Sequence, residues 1–365
     1  MVQALNDATG ELLVDEPLPS ERQALLDVLT PLGELGPMRI VMESCGFAGY
    51  WADVCDPLGE VAVLHSKYVA AQRRGKRKFD RRDTETMLRM STHDDLPRSY
   101  VGTTAERDWK DLLRYRVGLV RIGTRLRVRL RNVAQRYGAR LPSSDVDSAK
   151  GRRLWAEWEL RPTHRLLVDQ LLTVLAAVDE RVDAVETEIQ ARAASLAPAR
   201  TVEILDSLPG LGWFGSLLAA AEIGDWKRFP RAQSLPCYAG LVPSEESSGG
   251  RVVRGRITKE GSSYLRWIMV QAAMKAETSP RLEALYARVA QRRGAMKARV
   301  AVARELLEIA WHLLHKDVLY EERTPRGVES VNPPAAPATA RAVRSTPEPI
   351  PKPRRSGQIE GPQTP

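Results

Sequence analysis

Apolar and polar positions change their period along this chain, and the changes divide it. From Val2 to about Met90, short strand-like apolar runs interchange with helical ones. Val2–Leu5 and Leu12–Val14 flank Asp7-Ala8-Thr9-Gly10 as the two strands of a hairpin. Ser20 and Gln23 have the spacing of a capping box that opens a helix through Leu32. Met38–Met42 and Val61–Leu64 are continuous apolar runs of strand length, with a helical segment, Phe47–Val54, between them. This alternation predicts an α/β unit.

From about Ala105 to Leu196 the turn signals thin out and two long periodic segments take over. Leu112, Leu119, Leu126, Leu130, Val133 and Tyr137 fall near three-four spacing, whereas Arg125, Arg127, Arg129 and Arg131 alternate with apolar residues as in a strand. The length of the segment decides for helix. Val168, Leu171, Leu175, Val178, Val182, Val185 and Ile189 keep three-four spacing throughout. Two such helices joined near Leu141–Ser148 predict an antiparallel coiled-coil hairpin, packed on its own chain or used for oligomerisation. Thr201–Leu319 reads as helical around one Gly-rich loop, Ser244–Gly255. The remainder is rich in Pro, Ala, Thr and Arg with few large apolar residues, so burial cannot offset the entropy of ordering it. The expected organisation is therefore an α/β domain over 1–100, a helical hairpin over 101–200, a mainly helical domain over 201–320 and a disordered basic tail over 321–365.

Charge changes this picture toward a polyanionic partner. The 365 residues carry a formal net charge of +9. No apolar run is long enough to span a bilayer and the N-terminus lacks a signal-peptide core, which predicts a cytoplasmic protein without membrane contact. Cys45, Cys55 and Cys237 are odd in number and lack metal-ligand spacing, so they are expected to be buried thiols in a reducing compartment.

Four constellations could carry chemistry. Glu43 ends the strand Ile40–Met42, where carboxylates of open α/β sheets reach a metal without being buried unpaired. Asp80 and Asp83 share one side of a helix start, either as partners of Glu43 or as ordinary dipole partners. Arg73, Arg74, Lys76, Arg77, Lys78, Arg81 and Arg82 crowd the two acids, as suits a site where a phosphate backbone approaches carboxylate-held Mg²⁺. Leu208-Pro209-Gly210-Leu211-Gly212 reads as the turn of a helix-hairpin-helix element, in which Gly210 and Gly212 let backbone amides approach phosphate, or as a plain inter-helix turn. Finally, Ser247 and Ser248 stand before Gly249-Gly250 and the cations Arg251, Arg254, Arg256 and Lys259. That loop is a solvated linker or a serine nucleophile beside a phosphate clamp.

Together these segments resemble the DEDD transposases of bacterial insertion sequences, of the IS110 type. The resemblance rests on Val41-Met42-Glu43-Ser44-Cys45-Gly46, Lys78-Phe79-Asp80-Arg81-Arg82-Asp83 and Leu208-Pro209-Gly210-Leu211-Gly212. It continues through Ala239-Gly240-Leu241-Val242-Pro243, Ser247-Ser248-Gly249-Gly250, Gly255-Arg256-Ile257-Thr258-Lys259-Glu260-Gly261 and Tyr264-Leu265-Arg266. It implies a ribonuclease-H-like (RuvC-like) N-terminal domain, a coiled-coil hairpin and a C-terminal transposase domain, assembled as a homo-oligomer on the DNA of element ends and target. It further implies Mg²⁺ held by acidic residues, of which Glu43, Asp80 and Asp83 match the last three, and a transient phosphoserine link at Ser248 or Ser247. A structured guide RNA is implied as a partner. The family's first metal-binding Asp belongs to a strand upstream of the Val2–Gly10 stretch, and Asp7 and Asp15 are not substitutes by position. With three of four carboxylates the expectation is weak Mg²⁺ binding and little strand exchange. Three functions follow: a guided DNA recombinase, a relative that binds nucleic acid without cutting, and a structure-specific nuclease that uses water and leaves Ser248 idle.

Overall fold

The computed structural model describes residues 1–72, 80–93, 95–141, 146–196, 198–248, 251–275 and 279–322. The expected tail from Arg323 onward lies outside them, as do Arg73, Arg74, Lys76, Arg77 and Lys78. β1 (Val2–Leu5) and β2 (Leu12–Glu16) form the anticipated antiparallel hairpin, Gln3 opposite Asp15 and Ala4 opposite Val14. Asn6 holds the turn by accepting from the amides of Ala8 and Thr9 at 3.0 and 3.1 Å, and Gly10 takes φ 73°. α1 (Arg22–Glu34) follows. The capping box expected of Ser20 and Gln23 does not form. Glu21 is the N-cap without a side-chain bond, because the Gln23 amide donates instead to Asp27, one turn on, at 2.7 Å.

β3 (Arg39–Glu43), α2 (Ala48–Cys55), a 3₁₀ turn (Asp56–Leu58) and β4 (Glu60–Leu64) make a βαβ unit with parallel strands, Arg39 opposite Glu60 and Glu43 opposite Leu64. The outer edge of β4 is closed by the returning chain, where Ser99 donates to the Val63 carbonyl at 2.7 Å and His65 to the Pro97 carbonyl at 3.0 Å. α3 (Ser66–Gln72) and α4 (Asp80–Ser91) complete this part, and α4 packs across both β1 and β3. Its buried cluster is small: Ala62, Leu64, Val69 and Leu96. The thiols depart from expectation. Only Cys55 is buried, which raises its pKa, whereas Cys45 and Cys237 are exposed.

α5 (Thr104–Arg136) opens on a capping box in which Thr103 and Glu106 exchange hydrogen bonds. After α6 (Ala149–Glu157), α7 (Pro162–Leu196) runs back along α5 as the predicted hairpin. Leu130, Val133, Val168 and Leu175 are buried at the seam, and Arg116 with Glu186 and Arg127 with Asp179 pair across it. Among the described residues no helix is long and apolar enough to cross a membrane.

The third part runs through α8 (Ala199–Asp206), α9 (Gly212–Ile223), a 3₁₀ turn (Trp226–Arg228) and α10 (Ser234–Tyr238). It continues through β5 (Pro243–Ser248), β6 (Arg251–Ile257), α11 (Ser263–Ala273), α12 (Pro280–Arg293) and α13 (Ala295–Lys316). The segment anticipated as a Gly-rich loop is thus largely an antiparallel hairpin, Ser247 opposite Val252 and Ser248 opposite Arg251. The β-branched residues Val252, Val253 and Ile257 favour strand over loop. The described strands form three separate two-stranded sheets in a mostly helical chain.

The main core joins α8, α9, α11 and α13, and takes in Trp109, Leu113 and Val117 of α5 and Ile189 of α7. Every residue of α9 from Gly215 to Ile223 is buried, Glu222 included. Glu222 receives both nitrogens of a bidentate Arg114 at 2.7 and 2.9 Å, and the Ser262 hydroxyl at 2.8 Å. This pairing raises the pKa of Arg114. Replacing Glu222 with Gln removes the charge from these bonds and should cost about 1.5–3 kcal/mol, against about 1 kcal/mol for Ser262→Ala. Urea unfolding midpoints of the two variants give the comparison.

Candidate functional site

The three acids sit on two elements. Glu43 is the last residue of β3 and half-buried; Asp80 and Asp83 occupy the first turn of α4, which packs on β3. Asp83 is buried and Asp80 exposed, so the helix turns the two toward different surroundings. Among the described residues no three His, Cys, Asp or Glu side chains gather closely enough to hold a metal ion. The trio expected to share Mg²⁺ is therefore not assembled into a cage, because α4 presents one of its acids inward and the other to solvent. Asp15 is engaged elsewhere: it accepts from Gln3 at 3.0 Å and pairs with Arg81.

Ser247 and Ser248 are the last residues of β5, and Arg251 and Arg254 lie on β6; the side chains of all four are outside the described part. Arg256 and Lys259 are exposed at the hairpin's base. That base is built on two left-handed glycines. A methyl group on Gly261 (φ 69°) would lie 1.9 Å from the Tyr238 carbonyl oxygen, and one on Gly240 (φ 64°) 2.4 Å from that of Glu260. Between them the Lys259 amide donates to Gly240 at 3.1 Å and the Thr258 amide to Val242 at 2.9 Å. Lys259 itself adopts φ 56°, a conformation that costs a non-glycine residue about 1–2 kcal/mol. Arg266 of α11 donates to the Ala239 carbonyl at 2.8 Å, and its burial lowers its pKa.

The base of the hairpin reaches the end of β3. The Ser66 amide donates to the Ser44 hydroxyl at 3.3 Å, next to Glu43, and the adjoining Lys67 pairs with Glu260 at 2.6 Å, which raises the Lys67 pKa. An exposed pair of this kind is screened by solvent and contributes little to stability. It marks the side of the N-terminal part that lies next to the residues following the serine hairpin.

Gly210 (φ 79°) and Gly212 (φ 68°) are both left-handed, for different reasons. A methyl on Gly210 would lie 2.6 Å from the Ala272 carbonyl oxygen, so this glycine lets the turn press on the end of α11; in front of Gly212 nothing lies within 4 Å.

Sequence comparison decides the family. A transposase model of the DEDD, IS110 type matches residues 2–138, and the model of the transposase IS116/IS110/IS902 family matches residues 202–287. The chain belongs to the IS110 family of insertion-sequence transposases. It is 28% identical over 297 residues to the transposase for insertion sequence element IS1111A of Coxiella burnetii, covering 77% of this chain and 79% of that protein. It is 26% identical over 306 residues to a probable family 20 transposase of Pseudomonas aeruginosa, covering 79% and 87%. Against the transposase for insertion sequence element IS1328 of Yersinia enterocolitica it is 27% identical over 286 residues, covering 75% and 83%. Family membership assigns this transposase to DNA-recombining enzymes.

Sequence reasoning missed the cations of this transposase that lie on aromatic faces. Arg121 lies 5.1 Å from the Tyr264 ring centre and 5.3 Å from that of Trp267, and Arg114 lies 5.0 Å from Tyr264. Their signals were a seven-residue step on α5 and a three-residue step on α11, each hidden inside an amphipathic pattern. Arg228 likewise faces Tyr100, Phe229 and Tyr238 at 4.4, 4.1 and 4.4 Å.

The glycines separate by cost. Gly261→Ala meets both a left-handed backbone and a carbonyl oxygen, so it should destabilise the chain by more than about 2 kcal/mol, whereas Gly212→Ala meets only the backbone cost of about 1–2 kcal/mol. Denaturant unfolding of the two variants checks this order.

Proposed function

We propose that this chain is the recombinase of its own insertion sequence, with an N-terminal ribonuclease-H-like part and a serine hairpin acting on one phosphodiester. In the proposed step the Ser248 hydroxyl, or that of Ser247, attacks phosphorus and forms a serine–phosphate ester. The bond from phosphorus to one deoxyribose oxygen breaks, the serine proton is released, and the departing oxygen takes up a proton. Arg251, Arg254, Arg256 and Lys259 would hold the phosphate. The observation that supports this reading is the Ser44–Ser66–Lys67–Glu260 connection, which sets the acid-bearing end of β3 beside the hairpin's base.

Glu43, Asp80 and Asp83 as placed do not fit a Mg²⁺ cage, and no step is routed through the ion. Partners on this reading are the DNA of element ends and target, a structured guide RNA, and further copies of the chain along the α5–α7 hairpin.

The covalent step is tested by trapping a protein–DNA adduct on element-end DNA, using a form of the transposase that exchanges strands. Ser248→Ala should abolish adduct and strand exchange while leaving DNA affinity within about threefold, since alanine removes only the attacking oxygen. Loss confined to Ser247→Ala moves the role by one residue, and cutting that survives both variants points to water as nucleophile. Separately, Arg256→Ala or Lys259→Ala should weaken DNA binding across sequences and lower the slope of log affinity against log salt by about one for each phosphate no longer neutralised. Salt titrations of affinity measure that slope.

A further inference from the structure

Three aromatic rings stand in solvent at one edge of the N-terminal part. Phe47 is 74% exposed, Tyr68 58% and Tyr50 52%. A lone apolar side chain on a surface needs no account, but these three converge on one place. β3 and β4 are parallel, so the chain leaves both at the same end, and the two exits are tied together where the Ser66 amide donates to the Ser44 hydroxyl at 3.3 Å. Phe47 lies three residues beyond Ser44 and Tyr68 two beyond Ser66, at most about 11 and 7 Å along the backbone. Tyr50 is three residues further along α2, on the same side of the helix as Phe47, whereas Ala48 and Cys55 form its buried side. Local structure does not call for these rings. Phe47 is the N-cap of α2, a position that favours Ser, Thr, Asp or Asn, and it makes no side-chain cap bond. Both tyrosines are nonetheless held in place, Tyr50 edge-on to Trp51 with ring centres 5.0 Å apart and Tyr68 edge-on to His65 at 5.6 Å.

The composition of this edge selects its occupant. Across residues 44–50 and 65–70, all of them described, Phe47, Tyr50, Lys67 and Tyr68 are exposed and no Val, Leu, Ile or Met is. The core of a protein interface is a contiguous apolar patch. Separated rings beside a lysine instead fit successive nucleobases and the phosphates between them, because every base offers a π-face to an aromatic side chain. A base has that face free only where its strand is unpaired. We propose that Phe47 and Tyr68, with Tyr50 beyond them, stack unpaired nucleobases of a DNA strand and thereby hold the strand across the end of β3. The location rests on the reaction proposed above, in which one phosphodiester is presented between Glu43 and the serine hairpin; the bases on these rings are then its neighbours. The stacking itself needs neither serine nor a metal.

Affinity and photocrosslinking of the full chain on element-end DNA test it. Phe47→Leu and Tyr68→Leu keep an apolar side chain but remove the ring, so each should weaken binding of the single strand about tenfold or more while changing duplex affinity less than about twofold. Phe47→Tyr and Tyr68→Phe keep the ring and should bind as the parent does. Iododeoxyuridine placed in the single strand should crosslink to Phe47, Tyr50 or Tyr68 under ultraviolet light, and the same strand in a duplex should not. Leucine variants that bind the single strand like the parent overturn the proposal, as do equal losses on single strand and duplex, which belong to phosphate contact or to the fold. Crosslinks obtained only from an RNA strand of the same sequence assign the rings to RNA and overturn it, and leucine variants that change only the sedimentation of the protein assign them to a second copy and overturn it too. Crosslinks at the rings without a covalent adduct at either serine leave the stacking in place and remove the serine reaction; an adduct without such crosslinks does the reverse.

Discussion

A carboxylate buried in an apolar helix organises the larger part of this chain. α9 is apolar around its circumference apart from Ser216 and Glu222, and a charge in the latter position is tolerable only if several donors replace its water. Arg114 and Ser262 do so from two other elements, so the demand of one carboxylate determines which turn of α5 and which end of α11 meet at α9. An apolar residue could fill the same volume, yet it would remove a directional contact that sets the rotation of α5 alongside its buried Trp109, Leu113 and Val117. Lys110, one turn before Arg114, shares the setting: burial lowers its pKa and the charge of Glu222 partly restores it.

The same strut orients the serine hairpin. Ser262, which bonds Glu222, also caps α11 and directly follows Gly261, whose backbone abuts Tyr238; the Tyr238 hydroxyl in turn donates to the Glu222 carbonyl at 3.1 Å. The direction in which β5 and β6 leave the body is therefore set by the buried network behind them. Left-handed Lys259 is the strained residue in this arrangement, and the contacts of Gly240 and Gly261 hold it there.

Much of this architecture is legible in the sequence where period alone decides the outcome. The heptads of α5 and α7, the β1–β2 hairpin and the strands on either side of α2 follow from spacing. The β5–β6 hairpin reads as loop when its glycines and serines are weighed as breakers above Val252, Val253 and Ile257, although the pairing partner Pro243–Ser248 lies close by in the chain. Spacing places the two acids of α4 at a helix start, but it cannot say that Asp83 turns inward and Asp80 outward, since that depends on what the helix packs against. Arg114 and Glu222 lie 108 residues apart, each within a pattern that reads as an ordinary helix, so nothing local announces their pairing.

Packing is unequally shared between the parts that the proposed reaction would bring together. The body around α9 buries a large continuous set of side chains, each contributing about 1.5–3 kcal/mol where it is a fully buried leucine or isoleucine, whereas the cluster behind β3 and β4 holds four residues. Between the two stands the exposed Lys67–Glu260 pair, which solvent screens. A junction fixed by core packing would exclude a nucleic-acid backbone from the space between β3 and the hairpin. One closed by an exposed ion pair is of the kind that phosphates competing for the lysine would open, and in the proposed reaction that opening would let the oriented hairpin and the loosely packed part carrying Glu43 approach one phosphodiester.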